Sequence, residues 1–247
     1  DHGYVPIYLV KNNLSPAGIA MDVNKGPLEK AQEHIREEKL GGKIATRLGN
    51  GLAPLEPGET DTVIIAGMGG DLICKILKAK PEFLIEGKEF ILQPQSEWFK
   101  IRRLLKEYRY QIEKEWFLKE DGKYYVIIKA EPAWTQPQRL KHQQPSIHEY
   151  IKEISDTQVN QAVSEKDMES IYEQYGKYLI ETKNPVLKEY LEKEITKKES
   201  IAAELKQSIK EIESEELSGK ERGNIAKRQR RYQEIQKEIR DMRKAIG

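Results

Sequence analysis

Thr62-Val63-Ile64-Ile65-Ala66-Gly67-Met68-Gly69-Gly70-Asp71 is the stretch that decides the fold of this chain. Thr62 to Ala66 is a short apolar run with no polar alternation, the pattern of a central strand in a parallel sheet covered on both faces. It runs straight into three glycines within four residues. The apolar spacing from Asp71 to Leu77 then predicts a helix. Glycine has no Cβ, so the backbone of such a loop can approach a ligand at the carboxyl end of the sheet. A plain strand-to-helix turn needs fewer glycines, and a ligand-facing loop is the reading adopted. The loop is neither the Gly-x-Gly-x-x-Gly dinucleotide fingerprint nor a Walker loop, since no Gly-Lys-Ser/Thr follows.

Working outward, β and α patterns alternate. Ile7–Val10 reads as an early helix, Ala17–Met21 as a buried strand, and Pro27–Glu38 as a helix with proline in its first turn. Glu89–Gln93 is a further strand, followed by a helix over Ser96–Tyr108 with Ser96 as its cap. Tyr110–Lys119 and Lys123–Ala130 read as strands joined at Asp121-Gly122, a strong hairpin signal. The fold predicted is α/β: a doubly wound sheet with a hairpin at one edge.

Composition shifts near residue 133. Residues 134–146, rich in Gln and Pro, read as a linker, and Ile147–Leu179 as mostly helical. After Pro185, Leu187, Leu191, Ile195, Lys198, Ala202, Leu205, Ile209 and Ile212 alternate spacings of three and four. Ser218-Gly219 breaks that seam. Ile225, Arg228, Tyr232, Ile235, Ile239, Met242 and Ile246 resume it. Two heptad segments around a turn predict an antiparallel helical hairpin; one long dimerising helix is the alternative. The expected domains are therefore 1–133, α/β, and 134–247, a linker with a helical coiled-coil arm.

Composition narrows the class. Of 247 residues, 38% are apolar, enough for a core, and 34% are charged, which suits an arm with much surface. No apolar run approaches the roughly 18 residues of a membrane span. Cys74 is the lone cysteine; it fits a reducing, cytoplasmic setting and reads as a packed thiol. His2, His34, His142 and His148 lack ligand-like spacing, so no metal is expected. The chain begins at Asp1 without Met, so an upstream segment is expected.

Four segments offer chemistry. Asp22 ends the first strand, where a carboxylate can accept from both ribose hydroxyls of an adenosyl group; a helix-capping role is the competing reading. Gly49-Asn50-Gly51 is a turn signal that also suits a loop against an adenine ring. Gln93-Pro94-Gln95 lies on the same sheet edge as the glycine loop and suits the Watson–Crick edge of a purine, or else a helix entry. Asp1-His2-Gly3-Tyr4-Val5-Pro6 is uninformative alone.

Asp1–Pro6, Gly49-Asn50-Gly51-Leu52, Ala66-Gly67-Met68-Gly69-Gly70 and Gln93-Pro94 occur in the order and separation of the bacterial tRNA (adenine-22 N1)-methyltransferases. Tyr175–Leu179 and Lys183–Val186 also resemble that family. The resemblance implies a class I, Rossmann-like methyltransferase domain using S-adenosylmethionine, acting on N1 of an adenine in the D-arm of tRNA. It implies cofactor contacts at Asp1, His2, Gly3, Asp22, Val23, Asn50, Gly51, Ala66, Gly67, Met68 and Gly69. It implies a catalytic role for Asp1, and substrate contacts at Tyr4, Gln93 and Pro94. In relatives, a first strand and glycine loop lie just before Asp-His, and part of the methionine pocket is expected there. Asn50 stands where relatives often have Asp, and Asp22 where some have Glu; both keep hydrogen-bonding capacity.

Lys227-Arg228-Gln229-Arg230-Arg231 is the densest basic cluster, flanked by Arg222, Lys237, Arg240, Arg243 and Lys244. Lys227, Arg228, Arg230 and Arg231 are candidate tRNA phosphate contacts; a solvated helix face is the competing reading. A monomer is expected, because an internal hairpin satisfies the heptads. Two alternatives stand against the tRNA enzyme. One is a methyltransferase of DNA or protein, disfavoured because amino-methylating enzymes usually carry an Asn/Asp-Pro-Pro-aromatic turn where this chain has Ala-Gly-Met-Gly-Gly. The other is a non-catalytic RNA-binding scaffold with a degenerate domain, for which S-adenosylmethionine would give no thermal stabilisation.

Overall fold

A computed structural model describes residues 2–133, 163–213 and 219–247. Asp1, the 134–146 linker, the first part of the 147–179 segment, and Ser218 lie outside them. The described residues fall into two compact units: residues 2–112 with 128–133, and residues 113–127 with the helices from 163 onward.

In the first unit, α1 (Tyr4–Lys11) leads to β1 (Gly18–Asp22), α2 (Lys25–Glu37) and β2 (Ile44–Leu48). β1 and β2 pair in parallel, Gly18 opposite Ile44 and Asp22 opposite Leu48. β3 (Thr62–Met68), α3 (Gly70–Ala79), α4 (Pro81–Ile85), β4 (Glu89–Pro94) and α5 (Trp98–Glu107) follow, with β3 and β4 parallel. β5 (Tyr110–Glu120) and β6 (Lys123–Pro132) form the hairpin, and β6 pairs antiparallel with β4. The described strands thus lie in two sheets, β1-β2 and β3-β4-β6-β5. The hairpin sits at the edge, as its sequence predicts. Its turn carries φ 47° at Asp121 and 75° at Gly122, the positive pair a type I′ turn requires.

The core is where the apolar runs place it. Phe90 and Leu92 of β4, Ile73 and Leu77 of α3, and Ile101 and Leu105 of α5 are fully buried. Each such side chain contributes about 1.5–3 kcal/mol over its exposed state. α3 packs against β3 and against α5, so the glycine loop between β3 and α3 adjoins fully buried side chains of the unit.

Two expectations need correction. The helix after β4 begins at Trp98, and Ser96 does not cap it. Glu97 takes a left-handed φ of 52°, and the Ser96 carbonyl instead accepts from Gly70 N–H at 3.0 Å. The helix after β1 begins two residues before Pro27, at Lys25. β2 and α4 carry no clear sequence signal. β2 mixes Thr46 and Arg47 with its apolar residues, and α4 has only five residues, too few for a helical period.

In the second unit, α6 (Val163–Tyr175), α7 (Lys177–Glu181), α8 (Pro185–Glu213) and α9 (Gly219–Ile246) follow one another. α8 and α9 run antiparallel: Lys198 Nζ reaches Glu238 at 2.6 Å, and Arg228 Nη1 reaches Ser208 Oγ at 2.6 Å. Leu187, Leu191, Ile195, Ala202, Ile209, Ile225, Ile235, Ile239 and Met242, all named by the heptad pattern, are buried. The hairpin strands contribute Phe117 and Tyr124, which pack with Tyr190 at ring separations of 5.5 and 5.0 Å. No helix among the described residues is long and apolar enough to cross a membrane.

Candidate active site

The carboxyl ends of β1 and β2 meet at Asp22. Its backbone carbonyl accepts from Gly49 N–H at 2.9 Å. Its Oδ1 accepts from Asn24 N–H at 2.8 Å, a local turn before α2, whose N-cap Asn24 makes no side-chain cap hydrogen bond. Oδ2 has no partner among the described residues. Asp22 thus shapes the turn before α2 without capping that helix, and keeps one oxygen able to accept from a ligand. Val23 beside it is 60% exposed.

The loop after β2 is clamped from below. Both guanidinium nitrogens of Arg47 bind Glu59 at 2.6 Å, and Nη1 also reaches the Pro54 carbonyl at 2.9 Å. This two-point hydrogen bond holds the Glu59 carboxyl at about 2. The glycines here serve packing. A Cβ on Gly49 would lie 2.1 Å from Pro54 Cγ, and one on Gly51 2.8 Å from Ile76 Cγ2 of α3. Asn50, between them, is held at the loop surface.

The loop after β3 differs. Gly67 has φ 78°, and nothing lies within 4 Å of where its Cβ would point. Ala66, Gly67 and Met68 are all exposed. Gly67 N–H donates to Gln93 Oε1 at 2.7 Å, and Gln95 N–H to the Met68 carbonyl at 2.8 Å. An N–H can only donate, so the first bond fixes the Gln93 amide: its oxygen faces Gly67. Its Nε2 is buried and without a hydrogen-bond partner among the described residues. Pro94 is buried behind it.

Behind the loop, Gly70 packs so closely that an added Cβ would lie 2.6 Å from the Ser96 carbonyl oxygen. Lys100 Nζ bridges Asp71 Oδ1 at 2.9 Å and Glu97 Oε1 at 2.6 Å, while Glu97 Oε2 accepts from Asp71 N–H at 3.2 Å. Lys75 and Lys100 hold the Asp71 carboxyl at about 2. Glu97 is lowered by Lys100 and by the Asp71 N–H. Sequence reasoning does not reach Lys100, Glu97, Arg47 or Glu59. Arg47–Glu59, Glu97–Asp71 and Lys100–Asp71 join residues 12–29 apart, and no local pattern announces them.

At the start of the chain, Gly3 has φ 81° and lies against Ala31 of α2. The His2 carbonyl accepts from His34 Nδ1 at 3.0 Å. Tyr4 is 59% exposed and stacks on His34 with ring centroids 4.8 Å apart. Asp1 lies outside the described residues.

The basic cluster of the second unit does not present one face. Lys227, Arg230 and Arg231 are exposed, whereas Arg228 turns into the α8–α9 seam toward Ser208. Consecutive helical residues point in different directions, so a run of four charges cannot form one surface. Arg231 pairs with Glu234 at 3.2 Å and Glu238 at 3.5 Å.

A family model described as tRNA (adenine(22)-N(1))-methyltransferase matches residues 1–174. The chain belongs to this family. Among its members, the tRNA (adenine(22)-N(1))-methyltransferase of Bacillus subtilis (strain 168) is 33% identical over 192 residues, 65% of this chain and 79% of that relative. Several solved structures resemble this chain along its length, including the two that follow. The B. subtilis m1A22 tRNA methyltransferase structure has a TM-score of 0.69 and 25% identity, with 100% of this chain and 89% of the other covered. The M. capricolum family member solved with S-adenosyl-homocysteine has a TM-score of 0.66 and 25% identity, covering 100% and 87%. The Rossmann-like methyltransferase fold expected of the family is the fold of this chain.

Proposed function

We propose that this chain is a methyltransferase that uses S-adenosylmethionine to methylate N1 of adenine 22 in the D-arm of tRNA. Family membership over residues 1–174 carries this reading. The site supports it. Gly67 leaves open the volume a Cβ would fill, and Asp22 keeps one carboxylate oxygen for a ligand. Those two features suit an adenosyl cofactor.

When bound, S-adenosylmethionine supplies an electrophilic methyl on a sulfonium. The bond formed joins that methyl to adenine N1; the bond broken is sulfur to methyl, and sulfur keeps the pair. Adenine N1 carries its own lone pair, so the protein's work is largely positioning. Asp22 would accept from the ribose hydroxyls. Ala66 to Gly69 would give backbone approach to the cofactor. Val23, Asn50 and Gly51 would border the adenine of the cofactor, with His2 and Gly3 near its other end. Asp1 would accept from the amino group of the target adenine and help remove a proton from the cationic product. Gln93, Pro94 and Tyr4 would line the target base. Lys227, Arg228, Arg230 and Arg231 remain the arm's candidate tRNA contacts, and Arg228 would have to leave Ser208 to serve. The same reading makes the protein a cytoplasmic monomer that needs no metal.

Methyl transfer from labelled S-adenosylmethionine to unmodified tRNA, with the product nucleotide mapped, tests this. N1-methyladenine at position 22 is the expected product. Labelling elsewhere in tRNA removes the target; intact cofactor binding with no labelled tRNA removes the substrate.

A further inference from the structure

We propose that one row of cations on the outer face of α9, Arg230, Lys237, Arg240 and Lys244, grips the tRNA phosphate backbone. The inference rests on the tRNA methyltransferase reading and says which side of the arm meets the RNA.

The two arm helices differ in charge. α9 carries ten basic residues against four acidic ones, whereas α8 carries six against seven. A near-neutral arm is therefore a basic helix beside a balanced one. Position within α9 then selects the row. The seam side is marked by buried Ile225, Ile235, Ile239 and Met242. At about 100° per residue, Arg230, Lys237 and Lys244 recur every seven residues on the side opposite that seam. Arg240 falls beside them, and all four side chains are exposed. Seven residues of helix advance about 10 Å, so the row presents successive charges along a line, as a polyanionic strand requires.

The helix's own acids leave this row largely unneutralised. Glu234 and Glu238 are engaged by Arg231, and Glu238 also by Lys198 across the seam. Among the described side chains of α9, only Asp241 pairs with the row, 3.5 Å from Lys237. Arg230, Arg240 and Lys244 form no ion pair among the described residues. Such a concentration of unpaired positive charge attracts a polyanion through counterion release. Within the tRNA methyltransferase reading, that polyanion is the substrate itself. The row differs from the sequence cluster at Lys227–Arg231 in all but Arg230, because helical phase, not adjacency, decides which charges share a face.

The test removes the row in the full-length protein by Arg230→Gln, Lys237→Gln, Arg240→Gln and Lys244→Gln together. Glutamine keeps helix propensity at these exposed positions. A control removes equal charge from α8 by Lys188→Gln, Lys197→Gln, Lys206→Gln and Lys210→Gln. tRNA binding is followed against salt, with stabilisation by S-adenosyl-homocysteine recorded in parallel. The slope of log affinity against log salt is expected to become shallower by about one for each phosphate no longer neutralised. KM for tRNA is expected to rise about tenfold or more, with kcat at saturating tRNA and the response to S-adenosyl-homocysteine retained. The α8 control should keep the original slope. An unchanged slope in the row variant, or an equal loss in the control, overturns the proposal. Failure of the unsubstituted protein to bind tRNA while it still binds S-adenosyl-homocysteine overturns the reading beneath it.

Discussion

Gln93 Oε1 accepts the Gly67 N–H at 2.7 Å, so the end of β4 fixes the backbone of the loop that ends β3. Gly67 holds a left-handed φ there, and a hydrogen bond to its amide selects that conformation over the alternatives glycine permits. Gln93→Ala removes one exposed, neutral hydrogen bond, worth about 0.5–1.5 kcal/mol of stability. Its expected effect on methyl transfer is larger, about tenfold in kcat/KM, since small displacements at a reacting centre cost more than the interaction that prevents them. Thermal unfolding and steady-state kinetics on the same variant separate the two. A rate loss no greater than the stability loss would make Gln93 a purely structural residue.

Gly67 and Gly70 stand three residues apart and should fail differently. At Gly67 an added methyl meets no protein atom but must adopt φ 78°, which costs about 1–2 kcal/mol. It also enters the volume assigned to the cofactor. Gly67→Ala should therefore fold with a modestly lowered Tm and lose most of its stabilisation by S-adenosyl-homocysteine. At Gly70 the methyl would meet the Ser96 and Glu97 carbonyls at 2.6 and 2.7 Å. Gly70→Ala should cost more Tm than Gly67→Ala, because backbone must move. Full stabilisation of Gly67→Ala by S-adenosyl-homocysteine would mean that the open side of Gly67 is not where the ligand lies, and a reversed Tm ranking would count against the close packing of Gly70.

The same contrast shows what sequence can and cannot reveal. Both glycine loops are legible as candidate ligand loops. Gly49 and Gly51 prove to be filled from behind by Pro54 and Ile76, while Gly67 is open. Which glycine faces protein and which faces a cavity depends on contacts from other elements. The hairpin turn at Asp121-Gly122 and the arm's heptads are legible because their signals are local and periodic. β2 escapes because its polar residues blur the alternation. The Ser96 cap fails because Glu97, at a left-handed φ of 52°, intervenes before the helix that begins at Trp98, a turn set beside the Ser96 carbonyl's bond to Gly70, 26 residues earlier.

Two carboxyls beside the loops carry an acid-side signature. Arg47 holds Glu59 at about 2, below its usual 4.5, and Lys75 with Lys100 holds Asp71 at about 2, below 3.8. A lowered folded-state value means that the contribution is complete above the unfolded value and is lost as pH falls through the folded one. The clamps should therefore persist at pH 5 and weaken between about pH 4.5 and 2. Carbon-detected titration of the two carboxyls should show this directly. Lys75→Met with Lys100→Met should raise Asp71 toward 3.8 and leave Glu59 unmoved; a coupled rise in Glu59 would count against two separate clamps.

Asp1 is assigned an acceptor role toward the target adenine. Asp1→Ala should lower kcat by about 100-fold or more, the scale of a lost acid–base group, while affinity for S-adenosyl-homocysteine changes little. Asp1→Asn keeps the acceptor oxygen but cannot take a proton, so it should fall between the two. Turnover unchanged in the alanine variant removes Asp1 from the chemistry, and a parallel loss of cofactor affinity reassigns it to binding.

Arg228 Nη1 and Ser208 Oγ, 2.6 Å apart across the seam, give the means to test whether α8 and α9 of one chain pair with each other. Ser208→Cys with Arg228→Cys places two thiols on facing helices, and Cys74, the only native cysteine, is half-buried with its thiol pushed upward by burial. A bifunctional thiol reagent, which does not require the about 4.4–6.8 Å Cα separation of a disulfide, should give a crosslink that runs as a monomer on a denaturing gel, at every protein concentration tried. Pairing of helices between chains would instead give a covalent dimer whose yield rises with concentration. The distinction bears on function: a self-contained hairpin leaves the outer face of α9 open to RNA, whereas a helix exchanged between chains would bring a second copy of each arm helix beside it.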